Sequence, residues 1–220
     1  MMHAANDLNG LEVVHASRDV VVINKPPGLA VHPGPKTPHS LEDLLPALAI
    51  GGFRPVAAHR LDRDTSGCLA IARSRRGAKW LSAAFAGGGA EKLYWAILSA
   101  LPAQPSGLVD APLAKISSAA AGWRMVVDPA GKPARTHWQV LDAAIRLVEF
   151  RPETGRTHQI RVHAARLGAP IAGDPVYGDA VGPMRLHARR LAITLPDGQL
   201  ITALADPPPG WPGGTGPENQ

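Results

Sequence analysis

Short runs of β-branched and apolar residues, broken by Pro, Gly and charge, set the layout of this 220-residue chain. Val20-Val21-Val22-Ile23-Asn24 has the pattern of a buried strand and ends at Lys25-Pro26-Pro27-Gly28, a turn. Cys68-Leu69-Ala70-Ile71-Ala72 is a second such run, leaving a charged loop. From Ser74 the period changes to helical: Ala78, Leu81, Ala84 and Phe85 share a face, Ser74 is a suitable N-cap, and Gly87-Gly88-Gly89 is a stop. Residues 92–99, 123–127, 134–141, 145–150 and 189–195 read as further strands. Residues 157–167 predict a second helix, with Ile160, Ala164 and Leu167 on one side and Gly168 closing it. Strands outnumber helices and do not alternate with them, which predicts an α+β fold with a mainly antiparallel sheet and flanking helices. The expected layout is a short lead at 1–10, a folded domain over 11–205 and a loose Pro/Gly-rich tail at 206–220.

Composition adds a partner class and a compartment. The chain is 45% hydrophobic and 19% charged, enough for one substantial domain or two closely fused halves. Lys and Arg exceed Asp and Glu by 23 to 18, a net +5 that favours an anionic partner and would steer nucleic acid to the surface. The single cysteine, Cys68, follows a Gly in an apolar run, so a buried strand position is expected. One thiol makes no internal disulfide, which fits a reducing cytoplasm. With no apolar stretch of membrane-spanning length and no signal-peptide pattern, a soluble cytoplasmic protein without membrane attachment is expected.

Chemistry concentrates in a few segments. His59-Arg60-Leu61-Asp62-Arg63-Asp64-Thr65-Ser66-Gly67 packs two carboxylates and two guanidiniums into a loop closed by Thr-Ser-Gly. Such a loop can bring a carboxylate up to a polyanion, although the same composition also suits a hydrated surface turn. Other segments accompany it: Lys25-Pro26-Pro27-Gly28-Leu29-Ala30-Val31-His32, Glu91-Lys92-Leu93-Tyr94-Trp95-Ala96-Ile97 and Thr154-Gly155-Arg156-Thr157-His158-Gln159-Ile160-Arg161-Val162-His163. Gly173-Asp174-Pro175-Val176-Tyr177-Gly178 and Leu186-His187-Ala188 complete the set.

In this order the segments resemble the RNA pseudouridine synthases of the RluA type, over about residues 10–205. The resemblance implies two fused halves around a central active-site cleft, and an isomerase that needs no cofactor or metal. Its partner would be structured RNA, a tRNA or rRNA stem-loop, with the protein acting as a monomer. Asp62 is implied as the catalytic carboxylate, adding to ribose C1′ or taking the C2′ proton, and both routes require it ionised. Arg161 is implied as its counter-ion, and Tyr94 as a ring against uracil whose hydroxyl assists proton transfer at C5. Arg60 would fill the gap left by a flipped base, since a planar cation can stack and hydrogen-bond outward. Arg63 is expected to contact phosphate, Arg156 a phosphate or a loop, and His59 to orient the loop or to be a satisfied structural histidine. Ile160 and Leu186 would wall the uracil. Lys25 and His32 read as solvated turn residues, and Asp64 as a residue that holds the loop. The strand at Val20 comes too early for the S4-type RNA-binding extension that many relatives carry, so target choice is expected to lie in the catalytic domain.

Two other classes share some features. Asp62-Arg63-Asp64 and the acids from Asp174 to Asp179 imitate a magnesium phosphohydrolase of the haloacid dehalogenase type. The approach to Asp62 through His59 and Arg60 is not the apolar strand end that family needs, however. A zinc site is disfavoured because His158 and His163 lie five apart, off a common helical face. A binding module without activity would satisfy the charge and the five tryptophans, but it has no use for an acid facing phosphate.

Overall fold

In the first third of the chain, the β-branched run from Val20 becomes a strand because it can bury both faces. The computed structural model describes residues 10–34, 37–118 and 122–213. In chain order the elements begin with β1 (Glu12–Ala16), β2 (Val20–Lys25), β3 (Val56–Ala57), β4 (Ser66–Ala72), α1 (Arg75–Ala86), β5 (Ala90–Ile97) and β6 (Ser106–Asp110). They continue with β7 (Leu113–Ser118), β8 (Gly122–Val127), β9 (Arg135–Asp142), β10 (Leu147–Pro152), α2 (Gln159–Arg166), β11 (Leu186–Thr194) and β12 (Leu200–Leu204). The fold is α+β, mostly antiparallel strands with two α-helices among the described residues.

The chain divides into two compact units. The first holds the described part of Met1–Glu91 and Ala188–Gly210. In it β2 pairs with β1 on one side and β4 on the other, both antiparallel, with Val20 opposite Ala72 and Lys25 opposite Gly67. β4 is buried along its whole length, β3 pairs with its end, and β11 carries β12. α1 covers this sheet through Leu81 and Ala84, which pack with Val20, Val22, Ala70 and Ile193. Full burial of a Leu, Val or Ile side chain contributes roughly 1.5–3 kcal/mol. The helix starts where the sequence predicts: the Ser74 hydroxyl accepts from Gly77 N at 3.0 Å. Gly77 is required there, because a Cβ would lie 2.2 Å from the Asp19 carbonyl oxygen.

The second unit holds Lys92–His187 and the segment from Trp211. Its sheet runs β5–β10–β9–β6, and β7 and β8 form a separate hairpin. Phe150, Trp138, Ile171, Leu98 and Ala96 make its core, with Ile160 and Ala164 contributed by α2. Two expectations are corrected here. α2 begins at Gln159 rather than residue 157, because His158 adopts φ +54°, left-handed backbone that a continuing helix excludes. The segment after Asp206 is also not loose throughout. Trp211, only 7% exposed, packs on Trp95, Ile97 and Leu147. The rest of the expected tail, 214–220, and most of the expected lead, 1–9, lie outside the described residues.

Candidate active site

The Asp62 loop is held from below by a buried cation. Lys25 ends β2 and is 0% exposed. Its ammonium donates to the carbonyls of Pro26 and Leu29 at 2.8 Å each and of Arg63 at 3.0 Å, using all three N–H bonds. Gly28 N donates to the same Arg63 carbonyl at 2.9 Å. Thr65 N donates to the Asp62 carbonyl at 3.1 Å, closing the turn. The Pro-Pro-Gly turn and the acidic loop are thereby tied into one body at the residue after Asp62. Desolvation lowers the Lys25 pKa to about 8, while the charges of Asp64 and Asp62 pull it upward. The expectation of a solvated turn lysine is therefore wrong: Lys25 is a structural clamp whose charge faces the two loop carboxylates. His32 fits its expectation, exposed and paired with Glu42 at 2.6 Å.

Within the loop Asp62 is half-buried and Arg60 exposed. Arg63 is exposed and its Nε donates to Asp64 at 3.1 Å, which gives Asp64 a loop-holding contact. His59 accepts from Ala70 N at Nε2, 3.0 Å, so its neutral ring carries the proton on Nδ1. The ring also lies 4.6 Å from that of Phe85, which makes it a satisfied, loop-anchoring histidine. Behind the loop, Gly67 has φ +108°, and a Cβ there would sit 2.3 Å from the Ala188 carbonyl oxygen. No other residue fits that close approach of β4 to β11.

In the second unit α2 presents Arg161, 5% exposed, to a buried carboxylate. Arg161 Nε and one terminal nitrogen donate to Asp174 at 2.7 and 2.8 Å, a two-point fork. Asp174 also accepts from Val176 N at 2.8 Å and Tyr177 N at 3.1 Å. Burial pushes the Asp174 pKa up, but the fork and these amides outweigh it and hold the carboxyl below its ordinary range. The guanidinium also lies 5.2 Å from the centre of the Tyr177 ring. The Tyr177 hydroxyl accepts from Met125 N at 2.9 Å and meets His158 Nδ1 at 3.0 Å. His158 in turn stacks on Trp123, with centroids 5.0 Å apart.

A buried polar chain fixes the start of the helix. Thr154 donates to Gln159 Oε1 at 2.7 Å, the Gln159 amide donates to the Thr136 hydroxyl at 2.9 Å, and that hydroxyl meets His163 Nδ1 at 2.8 Å. His163 Nε2 ends the chain on the Ala111 carbonyl at 3.1 Å. Burial lowers the His163 pKa, so its neutral form fits this chain. Arg156 is exposed and donates to the Pro133 carbonyl at 3.0 Å, a loop contact. Ile160 and Leu186 are core residues, 7% and 4% exposed, and Tyr94, half-buried on β5, packs against the same cluster. Lys25, Asp174, Tyr177 and Gln159 are the residues sequence reasoning did not place. For Lys25 and Asp174 the signal was a charged residue joined directly to Pro at a turn; Gln159 and Tyr177 had only their place in the quoted segments.

Residues 19–166 match the family model described as RNA pseudouridylate synthase. The chain belongs to that family. The match includes Asp62, Tyr94 and Arg161. A protein of Zymomonas mobilis named an uncharacterized RNA pseudouridine synthase is 48% identical over 204 residues, covering 89% of this chain and 93% of its own length. The ribosomal large subunit pseudouridine synthase D of the same organism is 40% identical over 162 residues. That alignment covers 69% of this chain and 51% of the longer relative, so the chain spans about half of it. Among solved structures, human RNA pseudouridylate synthase domain containing 4 superposes with a TM-score of 0.76 at 29% identity, covering 90% of this chain and 89% of that one.

As a pseudouridine synthase the chain is an isomerase that turns uridine into pseudouridine. The bond from uracil N1 to ribose C1′ breaks and one from C5 to C1′ forms, while C5 loses a proton and N1 gains one. Atoms and electrons balance within the nucleotide. The reaction therefore needs the nucleotide admitted and one proton moved from C5 to N1.

Proposed function

We propose that this protein isomerises specific uridines in structured tRNA or rRNA and that Asp62 is the carboxylate that acts at the ribose. The observation that carries this reading is the clamp under the loop. Buried Lys25 holds the Arg63 carbonyl, next to Asp62, and ties it to the Pro26 and Leu29 carbonyls of the turn, while the Asp62 side chain itself stays half-buried. A rigid loop presenting a partly accessible acid beside a buried positive charge keeps that acid aimed. Extracting the uridine costs a few kcal/mol, least in a loop of the RNA, which favours stem-loop targets.

Arg161 is proposed as the counter-ion of Asp62, with Asp174 holding the guanidinium in orientation. Tyr94 is proposed as the ring against uracil. Arg161→Lys checks the first assignment: single-turnover rate should fall with RNA affinity kept, because one ammonium cannot reproduce the guanidinium fork, and a Lys variant as fast as wild type would remove Arg161 from the reaction. For the reaction as a whole, purified protein is incubated with unmodified tRNA and rRNA fragments, and pseudouridines are mapped by carbodiimide-dependent primer stops. New stops confined to one or a few loop uridines are expected. Absence of stops in every tRNA and rRNA fragment would overturn the substrate assignment.

A further inference from the structure

The first unit contains a cavity of about 740 Å³ that the Asp62 loop does not line. It opens at the Val20–Ala72 end of the β2–β4 pair, whereas the loop leaves from the Lys25–Gly67 end. Five residue steps separate these ends, roughly 17 Å at about 3.3 Å per residue. The floor is apolar, formed by Phe53 with Ile50 and Val56, the latter two each 42% exposed. Around it stand Arg18, Arg54 and Arg75, all exposed and without an ion pair among the described residues.

The one carboxylate in the wall, Asp19, is already neutralised. Arg76 and the Ser74 hydroxyl both hydrogen-bond to it, and the Arg76 bond lowers its pKa against the effect of burial. α1 begins at Arg75 with no acid in its first turn, and the Asp19 carboxylate bonded to its N-cap Ser74 is shared with Arg76. Three exposed guanidiniums around one opening offer an anion several cationic partners. The volume lies within the range of small-molecule sites, and an apolar floor with a cationic rim matches a planar ring that carries phosphate.

We propose that this cavity is a second contact for the substrate RNA, taking one unpaired nucleotide about 17 Å from the Asp62 loop. The base would rest on Ile50, Phe53 and Val56, and its flanking phosphates would meet Arg18, Arg54 and Arg75. This rests on the RNA-modifying reading above and assigns to it a surface that helps choose the target. A site of this kind contributes to RNA affinity and not to the chemical step.

The test uses the full chain and a tRNA or rRNA stem-loop. Arg54→Glu, Arg75→Glu and Phe53→Ala are compared with Lys79→Glu, an exposed position on α1 outside the cavity, with folding checked by circular dichroism. Each cavity variant should weaken RNA binding about tenfold and raise KM with kcat unchanged, and each Arg variant should reduce the salt slope of log Kd by about one. Phe53→Ala should leave that slope intact, and Lys79→Glu should change affinity less than about twofold. Affinity losses equal to that of Lys79→Glu would overturn the proposal, as would losses matched by a fall in kcat. Millimolar AMP that binds the wild type and is lost in Arg54→Glu, with RNA affinity unaffected, would overturn it in favour of a free nucleotide. An RNA-affinity loss confined to cavity variants supports the contact even where the wild type modifies none of the RNAs offered, so the two readings fail separately.

Discussion

Replacing Lys25 with Met sets two large effects against each other. The ammonium supplies the donors for three carbonyls, those of Pro26, Leu29 and Arg63, and Met leaves them without it. The Arg63 carbonyl keeps the Gly28 amide, so two acceptors lose their donor, and at about 1–3 kcal/mol each they cost at most roughly 6 kcal/mol. Against this, Met removes a charge that burial penalises. The fall of the Lys25 pKa from 10.5 to about 8 corresponds to about 3 kcal/mol at 1.36 kcal/mol per unit. With water reaching the exposed Pro26 and Gly28 side of the turn, the net loss should be about 1–3 kcal/mol at pH 7. The pH dependence isolates the lysine. Its folded pKa is depressed, so between pH 8 and 10.5 the unfolded chain holds a proton that the folded one has released. Wild-type stability gains from this group as pH rises through that window, by up to about 1.36 kcal/mol per pH unit. Urea unfolding of both proteins at pH 7, 8, 9 and 10 should show the gap widening above pH 8. A gap that stays flat, or a Met variant as stable as wild type at pH 7, would refute the clamp.

Arg161→Met should destabilise by about 3–5 kcal/mol, since it strands the buried Asp174 carboxylate, and Asp174→Leu in the same chain should recover part of that. Because the Asp174 pKa is depressed, this stabilisation is full above the ordinary carboxylate pKa and fades as pH falls through the folded value. Urea midpoints from pH 7 to 3 should show that loss in wild type and less of it in Asp174→Asn. Gly67→Ala should cost more than about 3 kcal/mol, from a strained φ plus a backbone clash with Ala188, and a soluble Ala variant with an unchanged thermal midpoint would contradict the close approach. Burial pushes the Cys68 thiol up to about 12, so a disulfide reagent should label it only in denaturant.

The strands and helices that sequence reading located best are those marked by a continuous apolar run or a helical period. The apolar runs of β2 and β4 and the Ser74-to-Gly87 helix are examples. β6 was missed because only Val109 of its five residues is buried, leaving no alternation to read. β12 was missed for the opposite reason: Leu200 and Leu204, 60% and 54% exposed, look as apolar as the buried Ile201. At the candidate site, residue types in short motifs pointed to Asp62, Tyr94 and Arg161. Their supports were not legible, because Lys25 and Asp174 are charged residues buried by tertiary contacts 38 and 13 residues away in sequence. His59 shows the same limit, since only the fold brings the Ala70 amide to its ring.

The central claim is that Asp62 acts on the sugar of a uridine, and one measurement reaches it directly. Asp62→Asn changes one oxygen for nitrogen on a loop whose backbone is held from Lys25, so folding and RNA contacts should survive. Under single-turnover conditions with RNA carrying tritium at uracil C5, wild type should release tritium as C5 joins the ribose. Asp62→Asn should release none above background while its RNA affinity stays within about twofold of wild type. Release by the Asn variant at even about a tenth of the wild-type rate would contradict the account.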